Sequence, residues 1–198
     1  ADSTGPLTEV PDETAGPYPG DGSNGINVLD DSGIVRRDIR SSFGSSTTTA
    51  QGVPLEIRLT VRDAATGSIL PGAAVYLWHC NNQGEYSLYS SGLENENYLR
   101  GVQQVDDAGT VTFTSIFPGC YDGRWPHSPI VKTSQIALPQ EACAAVYATT
   151  GYEQSTSNLS RTSLSSDNVF GEDGGIHQLA TMSGTAASGF TASLTIAV

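Results

Sequence analysis

The sequence predicts an all-β fold: a single β-sandwich domain with long loops and at most one or two short helices. Charged residues make up only 15% of the 198 residues, while glycine, serine and threonine are abundant, which is typical of a loop-rich β protein. Short apolar stretches are separated by regularly spaced turns that contain glycine or proline. A chain of this length suits one sizeable core, so we expect one domain.

The predicted elements follow one another in the order expected of a sandwich. Apolar and polar residues alternate strictly from Leu55 to Val61, which predicts a strand with one buried face. Ala73 to Cys80 is a continuous apolar and aromatic run, which predicts a central strand covered on both sides. Two further strands are predicted at Val111 to Ile116 and at Thr191 to Val198. Pro139 to Ala148, which is alanine-rich and starts with proline, is the best helix candidate.

The first 50 residues differ from the rest because they are rich in turns and poor in apolar side chains. Residues 16–25 have the sequence Gly-Pro-Tyr-Pro-Gly-Asp-Gly-Ser-Asn-Gly, and a Ser/Thr run follows at 45–49. Such a segment cannot close a core of its own. We therefore predict an N-terminal arm, residues 1–50, lying over a sandwich domain formed by residues 51–198.

The charge balance limits the partners. The formal net charge of −12 repels phosphate backbones and anionic membranes, so neither nucleic acid nor a membrane surface is an expected partner. No apolar run has the length of a membrane span, and Ala1 does not open a signal peptide. Scarce lysine with plentiful serine, threonine, asparagine and glycine favours an exported protein. We expect a mature form that acts outside the cytoplasm, secreted, periplasmic or at the cell surface.

Three cysteines, Cys80, Cys120 and Cys143, do not make a disulfide framework. Cys80 and Cys120 could pair and leave Cys143 over, or all three could be buried free thiols. The sequence leaves both alternatives open.

Three turn-flanked stretches carry the residues able to do chemistry: Trp78 to Ser87, Phe117 to Tyr121, and Arg124 to His127. Each places a tyrosine or histidine at or just beyond a strand end, and the loops of a sandwich gather at its two ends. Tyr86, Tyr121 and His127 are therefore candidate ligands of one metal. A free phenol has a pKa of about 10 and keeps its proton at neutral pH. A hard trivalent cation can displace that proton, so phenolate suits ferric iron better than zinc.

Each of these residues also has an ordinary structural interpretation. Most tyrosines are core or rim aromatics whose hydroxyl is hydrogen-bonded, and Arg124 taken alone is a surface charge. His79 lies inside an apolar strand, so we interpret it as a hydrogen-bonded core histidine. His177 follows Gly174-Gly175-Ile176 and is expected to be exposed. Spacing alone therefore does not establish a metal site.

Taken together, the three stretches resemble the intradiol ring-cleavage dioxygenases, the catechol and protocatechuate family. The resemblance rests on Trp-His and Gly-x-Tyr-Ser within 78–87, Phe-Pro-Gly-x-Tyr at 117–121, and Arg-Trp-Pro-His at 124–127. It runs from Thr14-Ala15-Gly16-Pro17-Tyr18 to about Tyr147, and 133–135 resembles the family's glutamine-bearing strand. The acidic, export-type composition is more similar to the extracytoplasmic bacterial branch than to the cytosolic oligomers.

The resemblance implies a non-haem Fe(III) site that cleaves a catechol-type ring with O2 to a muconate-type dicarboxylate. Tyr86, Tyr121 and His127 would be the iron ligands, and Tyr121 would leave the metal as the diol binds, taking a substrate proton. Arg124 would lie over the substrate ring and stabilise developing negative charge. Two more residues complete the implied site: Gln135, which would orient groups near the metal, and Tyr18, which would border the substrate pocket.

The resemblance breaks just after His127. The family carries a second histidine ligand two residues after the first, whereas this sequence has Pro129 there, and the match resumes only at about Thr133. Either this block is deleted, which removes a ligand together with a core strand, or the molecule contains a segment that this sequence lacks. The large cost of losing an inner strand favours the second explanation. Cα atoms of His127 and Ser128 about 3.8 Å apart in experimental density would establish the deletion.

Three functions are compatible with these observations. The first is an iron(III) intradiol dioxygenase that acts on a small aromatic diol and O2, although the sequence does not choose among catechols. The second is a non-catalytic exported module that uses its pocket for aromatics or a cell-surface partner, and the interrupted histidine motif favours it. The third is a purely structural sandwich, which leaves Arg124 and both tyrosines without a purpose.

Overall fold

The computed structural model describes residues 5–130 and 133–198, without the side chains of 127–130. Strands are the main regular secondary structure of this part of the chain, with two short α-helices and long loops, which confirms the predicted all-β class. The strands are β1 (Pro54–Arg62), β2 (Ala74–Trp78), β3 (Arg100–Gln104), β4 (Thr110–Ile116), β5 (His127–Ile130), β6 (Ser134–Ala137), β7 (Thr181–Thr185) and β8 (Gly189–Ala197); the helices are α1 (Gln140–Tyr147) and α2 (Glu153–Arg161).

One layer of the sandwich is a four-stranded sheet in the order β4-β1-β8-β7. β1 pairs antiparallel with β4 and parallel with β8. The alternation in β1 has the predicted effect, because Leu55, Ile57 and Leu59 are buried while Glu56 and Arg58 lie on the outer face. A slip of one residue would invert both faces, so this pattern sets the register of the sheet.

The second layer contains two two-stranded antiparallel sheets, β2–β3 and β5–β6. β2 is covered on both sides, as its apolar run predicts. Val75 and Leu77 belong to the main core against the four-stranded sheet, whereas Tyr76 and Trp78 belong to a second cluster that includes Tyr86. One strand therefore supports the core and also delivers aromatic side chains to the opposite side of the layer.

Two helices follow β6. α1 begins directly after Pro139, as predicted, and buries Cys143 and Val146 against the main core. The sequence does not predict α2, since its composition is almost entirely polar. Neither helix of the described chain is long and apolar enough to cross a membrane.

Cys80, Cys120 and Cys143 are buried free thiols, which is the second of the two alternatives. Burial raises the pKa of Cys80 and of Cys120 to about 12, so both stay protonated at neutral pH.

The described part of the N-terminal arm lies along the sandwich and contributes to it. Val10 and Ile39 are buried in the main core. Backbone N–H groups of the arm donate to the sandwich, from Val10 to Ala197 and from Ile39 to Thr114. The division of the chain at residue 50 stays a prediction.

Candidate functional site

Side chains from distant parts of the chain line one narrow cleft of about 20 Å³. That volume holds about one water molecule. The cleft brings together five of the six residues singled out from the sequence. Its lining consists of Ala15, Gly16, Pro17, Tyr18, Trp78, Tyr86, Tyr121, Arg124 and Gln135.

The centre of the cleft is a pair of tyrosines. The hydroxyl oxygens of Tyr86 and Tyr121 lie 3.2 Å apart, and the two rings meet edge-on with centroids 6.0 Å apart. Gly84 permits this approach, because it has a φ of +82° and a Cβ there would lie 3.0 Å from the Cβ of Tyr121. A larger residue at position 84 would push the second tyrosine away from the first.

Helix α2 fixes the backbone just before Tyr121. The Ser155 hydroxyl accepts a hydrogen bond from the Cys120 N–H at 2.9 Å, and the Asn158 amide donates to the Cys120 carbonyl at 2.8 Å. Both polar groups of this peptide segment are therefore satisfied inside the protein. The polar side chains of α2, which kept the helix from being predicted, hold a candidate ligand in position.

Burial controls the protonation of both phenols. It raises the pKa of Tyr86 well above its ordinary value and that of Tyr121 to about 12. The Arg124 guanidinium acts in the opposite direction on both tyrosines without cancelling the effect of burial. Both hydroxyls therefore carry protons at neutral pH in the metal-free protein, and a cation bound between them must displace those protons.

Arg124 reaches the cleft with its guanidinium held from two sides. Its Nε donates to a carboxylate oxygen of Asp167 at 3.0 Å, and its Nη2 donates to Oε1 of Gln135 at 2.5 Å. The Gln135 amide in turn donates to the carbonyl of Thr14 at 2.9 Å, which connects β6 to the N-terminal arm. Only 15% of the Arg124 side chain is exposed, so the charge is directed by its partners rather than by water.

Sequence reasoning missed Asp167, the partner of Arg124. Asp167 follows a run of serines and precedes Val169 and Phe170, a pattern typical of a residue that caps a turn. Its Oδ1 does accept the N–H groups of Val169 and Phe170, at 2.8 and 2.9 Å. The contact with Arg124, 43 residues away, had no signal in the sequence.

A second buried residue, Arg100, was also missed, and it anchors the arm over the cleft. Its guanidinium donates to the carbonyls of Tyr18 and Pro19, at 2.9 Å each, and to the carbonyl of Ser87 at 3.0 Å. It therefore ties the arm to the segment that carries Tyr86. The Tyr18 ring lies 5.0 Å from the Tyr86 ring, between centroids.

The histidines occupy three different settings. His79 is a core histidine, as interpreted from the sequence, with one ring nitrogen 2.7 Å from the Cys80 carbonyl and the other 2.6 Å from the Ser115 hydroxyl. His177 is exposed and lines a separate groove with Leu7 and Ile176. Neither of them lines the cleft, so His177 does not replace the missing ligand.

His127 begins β5, and its side chain lies outside what the structure describes. β5 pairs with β6 in a register that sets His127 opposite Ala137 and Pro129 opposite Gln135. The position where the resemblance calls for a second histidine therefore lies beside the glutamine of the cleft. Among the side chains that the structure describes, no three His, Cys, Asp or Glu residues group to hold a metal.

Comparison with known proteins identifies relatives of the central part of the chain. Residues 39–139 match the model of a family described as dioxygenase. The chain is 36% identical over 63 residues to chlorocatechol 1,2-dioxygenase of Rhodococcus opacus, which is 32% of this chain and 24% of that protein. It is 39% identical over 61 residues to catechol 1,2-dioxygenase of a Pseudomonas species, 31% of this chain and 20% of that one. These matches span no more than about a quarter of the relatives' length.

A solved structure shares the fold over almost the whole chain. The intradiol ring-cleavage dioxygenase from Tetranychus urticae superposes with a TM-score of 0.76 at 23% identity, covering 96% of this chain and 94% of that one. At that identity the likeness shows the fold, whereas the family match covers half of this chain. The chain belongs to the intradiol dioxygenase family.

Proposed function

We propose that this protein is a non-haem Fe(III) intradiol dioxygenase that cleaves a catechol-type ring with O2 to a muconate-type dicarboxylate. The observation that carries the proposal is the 3.2 Å spacing of the Tyr86 and Tyr121 hydroxyls in a cleft that also presents the Arg124 guanidinium. The relatives named as catechol and chlorocatechol 1,2-dioxygenases support the same class of substrate.

The donor set fits ferric iron. Oxygen ligands bind first-row metals at about 2 Å, so two adjacent ligands of one ion have oxygens about 3 Å apart. The tyrosine pair has that spacing, and phenolate is a hard donor that matches a hard trivalent cation. Tyr86, Tyr121 and His127 would hold the ion. Iron bound there supplies Lewis acidity and a template that orients the diol.

The residues of the chain would then divide the remaining tasks. Tyr86 would stay in place, because its side chain is almost fully buried, at 5% exposure. Tyr121, which is only partly buried, would be the phenol that gives way and takes a proton from the diol. A diol ring does not fit a cleft of about 20 Å³ unless a lining side chain moves. Arg124 directs positive charge at the anionic oxygens, which favours the charged form of the substrate.

The substrate class is a small aromatic diol, and the acidic composition supports activity outside the cytoplasm. The net charge of −12 and the scarcity of lysine are the observations behind this location. Detection of the native protein by antibody in extracellular and cell-bound fractions tests it. Recovery in the cytosolic fraction alone would contradict it.

A second candidate function is a non-catalytic module that binds aromatics in the same cleft. Pro129 favours it, because proline at the position opposite Gln135 offers no ligand atom in its side chain. The two functions differ in one property: the module takes up an aromatic diol without binding iron and without consuming O2.

The test is reconstitution of the purified protein with ferric iron. We expect one iron per chain, a visible phenolate-to-iron absorption band, a shift of that band on adding catechol, and O2 consumption with a dicarboxylate product. Tyr89→Phe is a matched control, because the Tyr89 hydroxyl bonds Gly20 and Asn24 rather than Tyr86 or Tyr121. That variant should keep the band. A colourless protein that binds no iron would refute the enzyme and leave the binding module.

A further inference from the structure

The Asp167 carboxylate is a buried anion whose acceptor sites are all directed at the segment that carries Arg124 and at its own turn. Its side chain has no exposure to solvent. Oδ2 accepts the Trp125 N–H at 2.7 Å and the Arg124 Nε–H at 3.0 Å, and Oδ1 accepts the N–H groups of Val169 and Phe170. Burial would raise the pKa of this carboxyl, but the three backbone donors and Arg124 outweigh it and hold the pKa below its ordinary value.

These contacts determine which part of the guanidinium faces the cleft. An arginine side chain has five N–H donors in a planar fork. Asp167 takes the Nε–H and Gln135 takes one Nη2–H, and the other three find no acceptor among the residues that the structure describes. Because the guanidinium lines the cleft, those donors are the ones available to a bound anion.

The donors around Asp167 offset only part of its charge. Three backbone N–H groups and the Arg124 Nε–H surround the carboxylate. Its negative charge still acts in the cleft, where it raises the pKa of Tyr121 by less than burial does, while the Arg124 guanidinium lowers that pKa.

We propose that Asp167 is a positioning residue for the reaction: it fixes the Arg124 guanidinium so that its remaining N–H groups face an aromatic anion bound in the cleft. This inference rests on the proposed function for its substrate. Asp167 lies outside residues 39–139, the part of the chain that matches the family model. The turn at 167–170 thus contributes to the cleft through Arg124 without lining it.

The experiment is a double-mutant cycle on the iron-reconstituted protein with Asp167→Asn and Arg124→Gln. Asparagine at 167 has one oxygen and one NH2 group where the aspartate has two oxygens. Its NH2 group would face N–H donors, so it cannot accept hydrogen bonds both from the segment of Arg124 and from its own turn. We expect Asp167→Asn to lower kcat/KM for catechol by about ten- to a hundred-fold, the range that a misplaced catalytic group causes. We expect little further loss when it is added to Arg124→Gln, because the two residues act as a unit.

Three controls separate positioning from a merely structural role. Asp38→Asn removes another carboxylate that holds an arginine, but one that lies on the surface. Arg40 donates hydrogen bonds to the Asp38 carboxylate at 2.9 and 2.7 Å. It should leave kcat/KM unchanged. Asp167→Ser keeps a hydroxyl that can cap the turn and replaces the asparagine variant if that one unfolds at the assay temperature. Thermal unfolding of every variant is recorded in parallel.

Calorimetry measures the affinity for benzoate, an aromatic anion that the enzyme cannot cleave. The proteins compared are the four of the cycle: the wild type, the two single variants and the double variant. Should the wild type fail to cleave catechol, the proposed function falls, and the cycle in benzoate affinity alone decides the role of Asp167. The proposal would be overturned if the Asp167 variant kept wild-type activity or wild-type affinity. It would also be overturned if the losses of the two single variants added up in the double variant, or if the wild type neither cleaved catechol nor bound benzoate.

Discussion

The hydroxyl oxygens of Tyr86 and Tyr121 lie 3.2 Å apart, although 35 positions separate the two residues in the chain. Each hydroxyl is supplied by a loop that other elements hold in place. Gly84 allows the Tyr121 backbone to come close, and α2 anchors the peptide groups of Cys120. The contact is therefore a product of the whole sandwich rather than of either motif.

Replacement of these tyrosines by phenylalanine should have unequal effects. Tyr86→Phe removes a donor that stays on the metal, so we expect loss of iron and of the visible band. Tyr121→Phe removes the phenol that gives way to substrate, so we expect iron to be retained with a changed band and kcat to fall by about a hundred-fold or more. Iron content and steady-state O2 uptake measure the two effects. An unchanged rate in the Tyr121 variant would refute its role as the departing base.

Analysis of tryptic peptides can determine which residues follow His127 in the natural protein. Trypsin cleaves after arginine and lysine, so this sequence yields the peptide 125–132. The resemblance, in which a further block follows the first histidine, leads us to expect additional residues between His127 and Ser128 in the natural protein, so that its digest lacks the peptide 125–132. Tandem mass spectrometry of the digest measures it. Recovery of the peptide 125–132 itself would establish that the block is deleted.

Arg100→Met should destabilise the fold even though it removes a buried charge. The Arg100 side chain is 1% exposed, and no carboxylate of the described residues forms an ion pair with it. The variant leaves the carbonyls of Tyr18 and Ser87 without their donor, at about 1–3 kcal/mol for each group, whereas the Pro19 carbonyl keeps the Tyr76 hydroxyl as a donor. We expect the free energy of unfolding in urea to fall by about 3 kcal/mol or more.

A matched control for that variant is Arg58→Met on the outer face of β1. Arg58 forms an exposed ion pair with Glu56 at 2.6 Å. Exposed pairs of this kind contribute about 0–1 kcal/mol. If substitution at positions 58 and 100 lowered the free energy of unfolding by equal amounts, the structural role of Arg100 would be contradicted.

His79 should make the fold sensitive to acid. Burial lowers its pKa from 6.5 to about 4, so the folded protein keeps the ring neutral where the unfolded chain takes up a proton. The stability from the neutral ring is full above about pH 6.5 and is lost as the pH falls towards about 4. A shift of this size corresponds to about 3 kcal/mol.

His79→Gln removes that titration, and urea unfolding at pH 7.5, 6 and 5 measures the result. We expect the variant to be less stable than the wild type at pH 7.5, because it disturbs the hydrogen bonds to Cys80 and Ser115. The difference in the free energy of unfolding between the variant and the wild type should become smaller as the pH falls. Two parallel curves would show that His79 does not titrate between the folded and unfolded states.

Local patterns predicted the elements that build the core. The alternation of β1, the continuous apolar run of β2 and the proline that precedes α1 each follow from side chains close in sequence. β3 and α2 escaped prediction because their composition is polar. In β3 the decisive residue, Arg100, is a buried arginine, a rare setting that only its five hydrogen bonds explain.

By itself the sequence determined the fold class, the strands of the core and the residue types that could bind a hard cation. These features depend on periodicity and on chemical identity, which are local. Only the tertiary structure decided which groups meet: Tyr86 with Tyr121, Arg124 with Asp167, and Arg100 with the carbonyls of the arm. Each pair joins segments far apart in the chain. Such contacts arise from the packing of the two layers and the loops between them, and no spacing in the sequence encodes that packing.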